Sequence, residues 1–109
     1  MKSKYEMIIC IVNVGFAEAV MDSAREAGAA GGTIINARGT AAKEAEKLYN
    51  ITIEPEKEIV LILIPNDIKD KILHVLYNAV GLNTPGQGIA FSVPVDDVIG
   101  LTPFNNKND

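Results

Sequence analysis

The sequence predicts an α+β fold: a four-stranded antiparallel sheet with two helices on one face and a long loop between the second and third strands. Three observations predict it. Four short, strongly apolar segments have strand character. Two segments with apolar residues at helical spacing separate the first strand from the second and the third from the fourth. Residues 38–56, between the second and third strands, show no strand pattern at all.

Residues 5–14 (YEMIICIVNV) are rich in β-branched residues and almost continuously apolar, which reads as a strand buried on both faces. Gly15 punctuates it. Phe16, Val20, Ala24 and Ala27 then recur at helical spacing, with Glu18, Asp22, Arg25 and Glu26 on the other side. Gly28 suits the left-handed position that ends a helix. Residues 29–32 are a small-residue turn, and 33–37 (TIINA) a second strand.

Residues 41–49 (AAKEAEKLY) are good helix formers with only a thin apolar face, and a connection of this length is usually functional. Residues 59–64 (IVLILI) form the most hydrophobic strand, ended by Pro65, and Asn66 or Asp67 is placed to cap a helix. In that helix Ile68, Ile72, Val75 or Leu76, and Ala79 are the expected buried stripe, and Asp67–Lys71 an expected i,i+4 ion pair. Gly81 stops it. Residues 83–88 (NTPGQG) form a turn-rich loop, and 89–95 (IAFSVPV) a half-buried strand that Pro94 assigns to an edge or a bulge. A short piece follows at 98–101, and 105–109 reads as a disordered tail after a single domain at 1–104. The order β-α-β-loop-β-α-β is the ferredoxin-like βαββαβ arrangement, whose uncovered apolar face invites oligomerisation.

Composition narrows the function classes. The chain has 109 residues, one domain's worth, and 48% are hydrophobic. Net charge is −4 and the ten Lys and Arg are scattered, so a nucleic-acid surface is not expected. No apolar stretch approaches a membrane span, no signal peptide is legible, and one Cys fits a reducing compartment; the expected location is the cytoplasm. Cys10 lies mid-strand and reads as an inert core residue. His74 has no second ligand at metal spacing, and a structural role is the better reading. Asp96-Asp97 fits a turn better than a carboxylate pair. Residues 83–88 lack the lysine-serine pair of a P-loop. No nucleophile–base pair or metal set can be assembled, so the chain reads as a non-enzyme.

Four segments in register carry a resemblance: Gly31-Gly32-Thr33-Ile34, Ala37-Arg38-Gly39-Thr40, residues 57–65 running into Pro-Asn-Asp, and Gly86-Gln87-Gly88 before the last long strand. Together they resemble the PII signal-transduction family of nitrogen regulation, over nearly the whole chain to about Leu101, as a divergent branch. The resemblance implies a homotrimer with inward-facing sheets. It also implies an adenine nucleotide (ADP, ATP or AMP) in the clefts between subunits, with no obligatory metal. By position, the backbone around Gly32, Thr33 and Leu63 would meet adenine. Arg38, Gly39 and Thr40 would stand at the root of the mobile loop 39–56, and Lys57 would face phosphate. Gly86, Gln87 and Gly88 would wrap the phosphates, with Ile89 next to them in the nucleotide site. Loop 39–56 would grip a target protein, a transporter or metabolic enzyme, and Tyr49 is its one aromatic.

Residue by residue the chain also departs from that family. Ile89 stands where the family has a lysine after its Gly-x-Gly, and Gly100 and Thr102 where it carries two arginines. The loop is also shorter. These departures leave Lys57 and Arg38 as the cations for a phosphate. On the same fold the alternative is a CutA-like trimer, a structural or metal-tolerance protein without nucleotide signalling. The long loop and the Gly-rich segment before the last strand distinguish the two.

Overall fold

The computed structural model describes residues 4–40, 43–51, 55–83 and 87–101. Strand β1 (Tyr5–Asn13) leads to helix α1 (Ala17–Glu26) and strand β2 (Thr33–Arg38). Helix α2 (Lys43–Tyr49) and strand β3 (Glu56–Pro65) follow, then a 3-10 turn (Asn66–Ile68), helix α3 (Lys69–Ala79) and strand β4 (Gly88–Val95). The sheet order is β2-β3-β1-β4 and every neighbouring pair is antiparallel. This is the ferredoxin-like arrangement expected from the element order.

Alternation along the two central strands separates the two faces. Ile8, Cys10 and Val12 of β1 and Val60, Ile62 and Ile64 of β3 are fully buried beneath the helices. Val20, Met21 and Ala24 of α1 and Ile72 and Leu76 of α3 close over them. Burying each large side chain contributes roughly 1.5–3 kcal/mol before the cost of ordering. Burial pushes the Cys10 thiol up to about 11, so it stays protonated and unreactive at neutral pH, as the sequence implies.

Met7, Ile9 and Ile11 of β1 point to the opposite face, beside Ile59, Leu61 and Leu63 of β3. Phe91 and Val93, across from Ile9 and Met7, and Ile35, across from Ile59, extend the same face. No element of the described chain covers it, and β1 is therefore buried on one side and half-buried on the other, not buried on both. Pro94 lies in the edge strand β4, where its missing donor costs no ladder bond.

The helix details correct several sequence expectations. Phe16 stands outside the stripe and is exposed, because the helix begins at Ala17 and rotates Ala17 and Met21 into the core instead. Ala79 is exposed and Val80 takes its place, since the chain turns inward after α3. Leu76, not Val75, completes the buried stripe. Neither Asn66 nor Asp67 occupies an N-cap position: these belong to Pro65 and Ile68. The 3-10 turn also removes Asp67 from the i,i+4 geometry with Lys71, and among the described residues those two form no ion pair. Residues 98–101 form no regular element. The second-to-third strand connection carries α2, a seven-residue helix built from the good helix formers of that stretch. The tail at 105–109 lies outside the described residues.

Helix α1 has no cap from its own N-cap residue, Phe16. Glu58 supplies one from β3: its Oε1 accepts hydrogen bonds from the amides of Gly15 (3.0 Å) and Ala17 (3.1 Å). A carboxylate at that helix end satisfies orphan donors and favours the helix dipole.

Two glycines are required by close approach. A Cβ on Gly32 would lie 2.7 Å from the Leu61 carbonyl oxygen and 2.9 Å from the Met21 sulfur. Gly88, at φ +152°, would drive one into the Ile11 carbonyl oxygen. Gly88→Ala combines strain with a backbone clash and is expected to destabilise the chain by at least about 2 kcal/mol in denaturant unfolding, whereas Gly31→Ala, which faces open space, stays within about 1 kcal/mol of wild type.

Candidate functional site

The residues singled out from the sequence lie on three strands and reach both edges of the sheet. Gly32, Thr33, Arg38, Gly39 and Thr40 lie at or just beyond the ends of edge strand β2. Gly88 and Ile89 begin the opposite edge strand, β4, and Gln87 immediately precedes it. Lys57 and Leu63 belong to central strand β3. Gly86 and Thr102 lie outside the described residues. Three strand spacings separate the two edges, about 14 Å. One chain therefore does not gather the set into a single cavity.

The end of the sheet where β1 finishes holds most of the polar chemistry. Lys57 pairs across the ladder with Asn13 on one side and Ala37 on the other, and Arg38 with Glu56. The Lys57 ammonium donates to Asn13 Oδ1 at 2.7 Å. Its stem runs beneath Gly39, where a Cβ would meet Lys57 Cε at 3.2 Å. The Gly39 amide donates to the Pro55 carbonyl at 2.7 Å and so ties together the two ends of the 39–56 segment. The neighbouring acid Glu58 is engaged with the start of α1, on the helix-covered face. Among the described residues Lys57 forms no ion pair.

At the other edge, an open depression of about 480 Å³ is lined by Leu73, His74 and Tyr77 of α3, Leu82, and Gly88, Ile89 and Ala90. Among the described residues no Lys or Arg lines it, and Ile89 is one of the more exposed apolar residues. Gln87 folds back toward Gly81. His74 is exposed, with Nε2 3.2 Å from Asn78 Nδ2, a local helix contact. Leu63 is partly buried opposite Met7. Gly32 has a packing reason to be glycine, given by Leu61 and Met21, whatever else it touches. Tyr49 ends α2 half-exposed beside the more exposed Leu48, and Asp96-Asp97 lies in irregular chain after β4.

Sequence reasoning missed Asn13 and Glu58. Asn13 is the one polar residue between Met7 and Val14, a usable signal. Glu58 gave none, since only the β1–β3 register brings it to the start of α1.

The family model described as Nitrogen regulatory protein P-II matches residues 5–103. Among solved structures, Arabidopsis thaliana PII bound to citrate is similar with a TM-score of 0.70 and 21% identity, over 92% of this chain and 82% of that one. CPII, a nitrogen regulatory PII-like protein from Thiomonas intermedia K12 bound to ADP, AMP and bicarbonate, has a TM-score of 0.62 and 15% identity, over 87% of this chain and 96% of that one. At these identities the structural likeness is one of fold. None of the curated proteins matches. The family match spans both edges of the sheet, the 39–56 segment and the Gly-rich turn before β4, and on it the chain belongs to the P-II family of nitrogen regulatory proteins.

Proposed function

We propose that this protein is a PII-like regulator that assembles as a homotrimer, binds an adenine nucleotide in the clefts between subunits and signals to a target protein through residues 39–56. The observation that carries this reading is the division of the candidate residues. Arg38, Gly39 and Lys57 collect at one end of the β2–β3 ladder, and Gln87-Gly88-Ile89 at the far edge of the same sheet. In the proposed trimer, copies set side by side would bring the one group to the other. The uncovered apolar face supplies the driving force for such packing. The ADP and AMP bound to the Thiomonas protein agree with an adenine ligand here.

The phosphates are held by few cations. The Gly-rich turn offers backbone N–H groups, each hydrogen bond to a charged group contributing on the order of 1.5–3 kcal/mol. Ile89 and Gly100 add no charge, which leaves Lys57 and Arg38. Nucleotide occupancy would then shift the 39–56 segment between arrangements by its differential affinity for them. Leu48 and Tyr49 present apolar surface on α2 to a target.

Three measurements test the reading. Sedimentation equilibrium is expected to return three times the 11.7 kDa chain mass at micromolar concentration, and a monomer there would remove both the trimer and the cleft. Calorimetry in the presence of a chelator is expected to show ADP or AMP binding at least as tightly as ATP, with Lys57→Ala weakening binding about tenfold or more. ATP binding far more tightly than ADP would mean that further basic residues line the cleft. A trimer that binds no nucleotide returns the protein to the CutA-like alternative. Hydrogen exchange is expected to show little protection at Leu48 and Tyr49 in the free protein, because isolated helices shorter than about 12–15 residues are marginal in water. Strong protection would make the segment a fixed element and not a switch.

A further inference from the structure

From the geometry at the end of β1 we infer that Asn13 is a positioning residue for anion binding, holding the Lys57 ammonium ready at the root of the 39–56 segment. The inference rests on the nucleotide reading above. Lys57 is fixed from two directions. Its ammonium donates to Asn13 Oδ1 at 2.7 Å, across the antiparallel ladder. Its stem lies against the bare backbone of Gly39, which is itself tied to Pro55. Lysine side chains are otherwise among the most costly to order, so a lysine held from both ends meets an anion with that entropy already spent.

The charge is also still available. An ammonium has three N–H donors, and Asn13 is a neutral acceptor that takes one of them without cancelling the charge. Of the flanking acids, Glu58 is turned to the amides of Gly15 and Ala17, and Glu56 stands across from Arg38. Among the described residues Lys57 has no carboxylate partner. A carboxylate at position 13 would hold Lys57 equally well but would neutralise it. The neutral amide oxygen of Asn13 orients the cation and leaves it charged.

A double-mutant cycle tests this, with ADP and inorganic pyrophosphate as the probes and melting temperatures measured alongside. Asn13→Ala is expected to weaken the binding of both about three- to tenfold, and to change it less than about twofold in Lys57→Ala protein. Asn13→Asp is expected to weaken binding more than Asn13→Ala, with the excess loss shrinking as salt is raised. Equal losses from Asn13→Ala with and without Lys57 would overturn the assignment, because Asn13 would then act independently of the lysine. So would an Asn13→Ala protein that binds both probes like wild type. Pyrophosphate bound without ADP would defeat the nucleotide reading while leaving the Asn13–Lys57 assignment standing. Neither probe bound by the wild-type protein would defeat both.

Discussion

Strand β1 is hydrogen-bonded on both sides along nearly its whole length, to β3 from Tyr5 to Asn13 and to β4 from Tyr5 to Val12. That double pairing fixes what faces what in the rest of the molecule. Because side chains alternate with period two, a slip of one residue would send Ile8, Cys10 and Val12 to the open face and Met7, Ile9 and Ile11 under the helices. The same register sets Asn13 beside Lys57 and Val12 beside Gly88. The core, the lysine at the loop root and the Gly-rich turn are thus three consequences of one pairing.

The two faces of the sheet are nearly equal in apolarity but unequal in cover. Helices α1 and α3 protect one of them, and among the described residues no third long helix covers the other. The polar groups of the candidate site stand at the margins of that uncovered face and not within it. In the trimer proposed above, association through the face would leave them at the seams between copies.

Much of the fold was legible in the sequence because strand and helix periods are strong and the breakers are clear. Gly15, Gly28 and Gly81 all have positive φ at or near the ends of elements they were expected to end. What failed was rotation and capping. The spacing of Phe16 fits the helix stripe, yet the turn at Gly15 starts the helix one residue later. The cap on α1 comes from Glu58, 41 residues beyond Ala17, and no local pattern announces such a partner. In the candidate site, Gly39 lies over the Lys57 stem and Asn13 lies beside its ammonium, contacts that the strand registers set and no local pattern announces. The Gly-rich turn could be located from sequence, but its distance from Lys57 could not, since only the strand order separates them.

The edges of the sheet decide what kind of assembly the open face can make. On β4, Pro94 offers no amide to a further strand, and on β2 the ladder is only six residues long and ends at the charged Arg38. Neither edge is a good template for adding strands from another chain. Growth by edge pairing would be open-ended and would run toward fibres, whereas burying a single face against its own copies terminates once that face is used. The proline that looks like a flaw in the last strand would thus help to keep any self-association finite.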